Sequence, residues 1–305
     1  MVLVNKKRTN KIIETRSDRF MQMITTFFLL LILVVVGYPV IYVVSCSFSS
    51  DAALTTGKVL LWPVEPTLVG YKFVMKFERI WLGYRNTIFY TVFGVIIAMV
   101  LQVLCAYPLS RPGYQGRSPL MKIIYFTTLF HAGLVPTYMI YSSLGLVNTV
   151  WSILLAYTIS VSRVIIMRTA FKSVPSELYD SAAIDGATPF QTMAQIVLPL
   201  VKATISTLTL YTAVGCWNDY FTAMIYLRND QLYPLQLFLR TILTTAQSLT
   251  ADALHSSGSM TGPTQEGVNQ IEYCIIIMAT VPVLLLYFGV QSSFKKGVMI
   301  GSVKG

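Results

Sequence analysis

Six long apolar stretches separated by polar segments organise this chain of 305 residues. They run over about 20–46, 86–109, 120–141, 147–167, 203–227 and 271–290. Each is long enough for a helix to cross the hydrocarbon layer of a bilayer, which takes about 20 residues. The first, with Ile24 to Val44 almost purely apolar, is too long for the core of a signal peptide and has no small-x-small cleavage site, so it predicts a spanning helix. Between the first two stretches, Leu68, Tyr71, Phe73, Val74 and Phe77 predict a short amphipathic helix on the membrane surface. The expected fold class is an all-α integral membrane protein with six transmembrane helices.

The polar interval 172–202 has a different pattern. Pro175 is tolerated in a first helical turn, and Ser181, Ala182 and Ala183 continue that helix with small residues. Asp185-Gly186 is a turn signal. Thr188-Pro-Phe-Gln191 has the form of a capping box with Pro189 at the first helical position. Phe190, Met193, Ala194 and Val197 fall at i, i+3, i+4 and i+7, predicting one apolar face, and Pro199 closes the second helix. Two short helices at an angle make a compact knob for a cleft in a partner.

Composition agrees with a membrane protein: 54% of residues are hydrophobic and 12% charged, against about 25% charged in soluble domains. The net charge of +10 would invite a nucleic-acid partner, but its distribution excludes one. With both termini in the cytoplasm, the inner segments hold sixteen of the 23 Lys and Arg, six of them in the N-terminal tail. This is the positive-inside bias of a multi-pass membrane protein. The chain then divides into a cytoplasmic tail (1–19), a transmembrane domain (20–294) whose helix-turn-helix faces the cytoplasm, and a basic cytoplasmic tail (295–305). Cys46, Cys105, Cys216 and Cys274 lie in separate apolar stretches without metal-type spacing, so they are expected as buried thiols.

Residues able to carry chemistry are few. The chain has no phosphate-binding loop, and His131 and His255 are isolated, so neither ATP hydrolysis nor metal catalysis is expected of it. Asp219, beside Trp217 and Asn218, is the one carboxylate expected at membrane depth, where acidic side chains face a bundle interior or a watery path. Arg163 is expected to snorkel to the inner interface. A sugar path needs aromatic faces and uncharged hydrogen-bonding groups, and Tyr125, Tyr138, Tyr141, Tyr211, Trp217 and Tyr220 are candidates. The same residue types also anchor helices at membrane interfaces. A secondary transporter or channel that works without ATP is the alternative reading, but no internal repeat or second buried carboxylate supports it.

The segment 180–199 resembles the signature of permease subunits in binding-protein-dependent ABC importers: Glu-Ala-Ala, three residues, Gly, nine residues, Ile-x-Leu-Pro. Asp180, Ser181, Ala182, Gly186, Ile196, Leu198 and Pro199 match it in spacing, with Asp for Glu and Ser for Ala at the first two positions. Asn86-Thr-Ile, Ala106-Tyr-Pro-Leu-Ser-Arg111, Trp217-Asn-Asp219 and Tyr233-Pro-Leu-Gln236 are similar to the G-type permease of maltose-class sugar importers, in the subgroup linked to complex oligosaccharides. The resemblance implies that the signature loop is a coupling helix seated in a cytoplasmic ATPase. It further implies a homologous second permease, two ATPase subunits that bind the ATP and Mg, an extracytoplasmic solute-binding protein, and a place in the bacterial cytoplasmic membrane. No cofactor is implied in this chain. Asn218, Asp219, Trp217 and Tyr220 are the candidates for the translocation path, the 228–270 connection for contact with the binding protein, and the tail from Gly297 for contact with the ATPases.

Overall fold

The computed structural model describes residues 15–76, 78–130, 132–244 and 268–301. Every regular element among them is helical. Helix α1 (Arg16–Ser47) starts at a capping box in which Thr15 and Asp18 satisfy each other's backbone. Two short helices follow, α2 (Asp51–Thr55) and α3 (Val69–Met75), and then the long α4 (Glu78–Ser110). Next come α5 (Arg117–Leu129), α6 (Leu134–Ser143), α7 (Val150–Ala156), α8 (Val161–Lys172), α9 (Ser176–Ile184) and α10 (Pro189–Leu200). The chain continues through α11 (Lys202–Asn218), α12 (Phe221–Tyr226), α13 (Leu235–Thr244) and α14 (Val268–Gly301).

The third, fourth and fifth of the six expected spans are not single straight helices. Among the described residues, α1, α4 and α14 are single helices with the length and hydropathy to cross a bilayer; the number rises to six if each of the pairs α5–α6, α7–α8 and α10–α11 counts as one broken span. The α7–α8 pair bends by 49° and α10–α11 by 83°. The stretch expected as a helix over 203–227 breaks at Asp219–Tyr220. Hydropathy does not register these breaks because composition stays apolar across them, whereas the backbone responds to local competitors. Gly133 adopts φ +75°, Thr158 returns its hydroxyl to the Leu155 carbonyl at 2.8 Å, and Asp219 Oδ1 accepts from the Thr222 amide at 3.0 Å.

Almost all of α1 from Phe20 to Val44 is exposed, and burial begins only at Ser45–Ser47. Its apolar surface is left uncovered by the rest of the chain, and its C-terminal end is the part tied to the bundle. The centre of the bundle is α4, packed along α8 and α11. Val103, Ala106 and Leu109 of α4 meet Val164, Met167 and Phe171 of α8 and Leu208 of α11 in one buried cluster. Arg163, expected to snorkel outward, turns into this bundle instead and donates to the buried Thr212 hydroxyl at 2.6 Å. Cys46, Cys216 and Cys274 are buried and Cys105 half-buried, and all four are free thiols.

A second cluster ties the ends of the chain together around Gln270. Its Nε2 donates to the carbonyls of Ser47 at 3.1 Å and Thr67 at 3.0 Å, and its Oε1 accepts from the Gly70 amide at 2.9 Å. One fully buried amide thus joins α1, the following connection, α3 and α14. The approach of α3 is close enough to require glycine, since a Cβ at Gly70 would lie 2.9 Å from Cys274 Sγ and 3.0 Å from Gln270 Cδ. Helix α3, expected on the membrane surface, therefore turns Gly70 and Val74 into the protein while Val69 and Phe73 stay outside.

The connection after α12 contains the helix α13 and is bonded to α4. Asn86 Nδ2 donates to the carbonyls of Gln231 and Tyr233 at 2.8 and 3.1 Å, Tyr90 Oη donates to that of Leu232 at 2.9 Å, and Thr87 Oγ1 accepts from the Leu235 amide at 2.8 Å. These bonds bring α13 back into the bundle, with Leu235, Leu237 and Leu239 buried. Ala251 to Pro263, His131, His255, the first fourteen residues and the last four lie outside the described residues.

Replacing Gln270 by Leu should leave the Gly70 amide and the Ser47 and Thr67 carbonyls buried without this partner. At roughly 1–3 kcal/mol for each unsatisfied group, the loss should be several kcal/mol, seen as a clearly lower unfolding midpoint of the detergent-purified protein. An unchanged midpoint would show that the amide is not a structural tie.

Candidate functional site

The predicted knob is present with its turn chemistry intact. Helix α9 ends at Asp185, whose amide donates to the Ser181 carbonyl at 3.0 Å, and the Ala187 amide reaches the Ala182 carbonyl at 2.9 Å. Gly186 between them has φ +73°, the left-handed conformation in which a Cβ is costly. Thr188 then caps α10: its Oγ1 accepts from the Gln191 amide at 3.3 Å while Gln191 Oε1 accepts from the Thr188 amide at 2.8 Å.

The buried face of α10 differs from the expected one. Thr192, Met193 and Val197 are buried, whereas Phe190 and Ala194 are exposed. The reason is a π-helical turn over Thr192–Val197. It closes its hydrogen bonds one residue later than an α-helix, so a periodicity of 3.6 residues assigns Ala194 to the wrong side.

The knob is fixed to the end of the bundle. Tyr179, Ala182, Met193 and Val197 are buried, and Tyr179, Met193 and Val197 join the α4–α8–α11 core. Tyr179 Oη donates to the Phe171 carbonyl at 3.2 Å. The Arg111 guanidinium lies 3.5 Å over the Tyr179 ring. Arg168 Nε donates to the Leu109 carbonyl at 2.8 Å, fixing α8 to the end of α4. Of the signature residues, Asp180, Ser181, Gly186 and Pro199 are exposed, Ala182 is buried, and Ile196 and Leu198 are half-buried. Exposed hydrophobic side chains border the Gly186 turn: Ile184 is 86% and Phe190 67% accessible. The signature match does not single these two out. An apolar residue on each side of an Asp-Gly turn is the signal that would have found them.

The other candidates divide at the α11–α12 break. Trp217 is buried; its Nε1 donates to the Ala279 carbonyl at 3.1 Å, locking α11 to α14. Asp219 turns Oδ1 back to the Thr222 amide, and its buried Oδ2 has no hydrogen-bond partner. Asn218 and Tyr220 line a cavity of about 550 Å³ between α11, α13 and α14. The aromatic candidates do not converge there. Tyr138 and Tyr141 stack against Tyr226, with ring centres 5.9 and 4.5 Å apart, and Tyr125 and Tyr211 are on exposed surface. Gln236 and Arg240 also line the cavity. Arg240 was missed because the sequence places it in an external connection, whereas the fold returns it to the bundle on α13.

No group of His, Cys, Asp and Glu able to hold a metal exists among the described residues. Comparison with known proteins gives a consistent result. The chain matches the family model for the binding-protein-dependent transport system inner membrane component over residues 67–296. It is 35% identical over 288 residues to the polygalacturonan/rhamnogalacturonan transport system permease protein YtcP of Bacillus subtilis (strain 168), covering 94% of this chain and 99% of that one. It is also 35% identical to protein LplC of the same organism, over 88% of this chain and 89% of that one. Among solved structures, a chain of a bacterial ABC transporter involved in the import of the acidic polysaccharide alginate superposes with a TM-score of 0.80 at 34% identity, covering 92% of this chain and 98% of that chain. From the family match and these full-length likenesses, the chain belongs to the binding-protein-dependent transport system inner membrane components, a family of membrane permeases rather than enzymes.

Proposed function

We propose that this permease moves an oligosaccharide from an extracytoplasmic binding protein into the cytoplasm, driven by ATPase subunits that engage the 180–199 knob. One observation carries the coupling part of this reading. Ile184 and Phe190 stand exposed on either side of the Gly186 turn, on a helix pair whose other face is locked into the core. Apolar side chains presented on a rigid polar knob are what the groove of a partner would bury. Because Tyr179, Met193 and Val197 share a core with α4, α8 and α11, a push on the knob passes to the bundle as a rigid-body displacement. The basic bias of the segments on the knob's side of the membrane supports a cytoplasmic location.

The remaining partners follow from the same reading: a homologous second permease that completes the pore, two ATPase subunits that bind ATP and Mg, and a solute-binding protein on the outer face. Membership of a binding-protein-dependent family favours this over a carrier that works without ATP. The relatives named for polygalacturonan/rhamnogalacturonan and for alginate support an oligosaccharide as the cargo.

Two substitutions test the coupling. At Gly186 a new Cβ would meet no atom within 4 Å, so Gly186→Glu costs the fold only the left-handed backbone, roughly 1–3 kcal/mol. The variant should insert and bind its sister permease, yet lose most ATP-driven uptake in reconstituted vesicles, while Ser181→Ala stays close to wild type. Full coupling by Gly186→Glu would remove the knob from the mechanism.

The double variant Ile184→Asp, Phe190→Asp should co-purify with clearly less ATPase than wild type at equal permease content. Equal recovery would mean that the apolar pair is not the contact.

A further inference from the structure

The cavity between α11, α13 and α14 lies at membrane depth. The apolar stretch of α14, about 271–290, has about 20 residues, and at 1.5 Å per residue it rises about 30 Å, close to the thickness of a hydrocarbon layer. The α14 residues that line the cavity fall between Ile275 and Val283, on either side of the midpoint of that stretch. The cavity wall nevertheless carries exposed polar groups, namely Asn218 at the end of α11, Tyr220 beyond it, Arg240 on α13 and Thr280 on α14, with Gln236 half-buried among them. A face of this kind does not meet lipid; at this depth it borders a water-filled path or another subunit.

Arg240 is the one permanently charged group among the described residues lining the cavity. No carboxylate among the described residues pairs with it; the ion pair of Arg79 with Asp230, at 2.8 Å, lies elsewhere. Its guanidinium instead sits 4.3 Å over the Tyr220 ring. That contact holds one face of the guanidinium and leaves its N–H edge available for two parallel hydrogen bonds to a carboxylate. Asp219 does not neutralise it in this arrangement, because its Oδ1 is turned to the Thr222 amide and its side chain is not part of the cavity wall. A phosphate headgroup would lie at the bilayer surface, about half the hydrocarbon thickness away. Where the face borders a water-filled path, a transported solute bearing an anion is the occupant that the site fits.

We propose that this cavity takes a uronate unit of an acidic oligosaccharide in transit, with Arg240 the residue that selects for its carboxylate; this rests on the oligosaccharide-importer reading above. Asn218, Gln236 and Thr280 are the uncharged partners for sugar hydroxyls. Tyr220 keeps the guanidinium oriented toward the cavity.

The test uses the complete importer in vesicles, with the binding protein loaded to saturation in turn with trigalacturonate and with its carboxyl-reduced, neutral counterpart. Wild type should take up the charged trisaccharide at least tenfold faster than the neutral one. Arg240→Gln should bring that ratio near one, and Arg240→Lys should recover part of it. A loss of uptake for both probes with the wild-type ratio preserved would make Arg240 a structural residue and overturn the proposal. So would a wild-type complex that carries the neutral probe as fast as the charged one, with the importer reading left standing. ATP-dependent uptake of neither probe by wild type would instead overturn the oligosaccharide-importer reading and this inference with it.

Discussion

Inside a bilayer no water is at hand to satisfy a polar group, so backbone amides and carbonyls must find partners within the protein. The tertiary structure of this permease depends on that constraint. Several of its buried polar side chains determine which helices meet, whereas Gln102 and Thr91 are buried without a hydrogen-bond partner among the described residues. Gln270 joins four segments through one amide, and Trp217 fixes α11 to α14 through its single N–H. Asn86, Thr87 and Tyr90 hold the segment before α13 to the side of α4. Apolar packing alone gives weak preference for one helix neighbour over another in lipid, since the lipid tails are as apolar as the side chains.

The same bonds connect the two functional regions. At one end, the α4–α8–α11 core extends into α9 and α10, so the Gly186 turn is the tip of a rigid body rather than a loose loop. Elsewhere, the bonds from Asn86 and Thr87 set the position of α13 and hence of Gln236 and Arg240. Helix α11 links the regions directly: its first residue follows the knob by way of Val201, and its last, Asn218, lines the cavity. One helix of 17 residues thus spans from the end of the knob to the cavity.

The breaks in the helices belong to this design. An unbroken helix over 203–227 would carry Asp219 and Tyr220 round in helical register and leave no turn at which the chain opens. The break after Asn218 frees the Asp219 carboxylate to cap the next helix and sets Tyr220 beneath the Arg240 guanidinium. The π-turn in α10 does comparable work in the knob, leaving Ala194 outward while Met193 and Val197 stay against the core.

The amino-acid sequence alone determined the helical class, the approximate positions of the apolar stretches, the Asp185-Gly186 turn and the Thr188–Gln191 cap. These depend on composition, hydropathy and residues within one helical turn of one another, which a linear reading contains. Only the tertiary structure decided that three of the stretches are broken, that Arg163 faces inward, that Trp217 is a lock between helices, and that Arg240 returns to the bundle beside Tyr220. Those outcomes depend on partners far apart in the chain, such as Asn86 with Tyr233, Trp217 with Ala279 and Gln270 with Ser47. In a chain that is 54% hydrophobic, hydropathy marks what enters the membrane, but the rare polar pairings across the fold decide which side chains meet there.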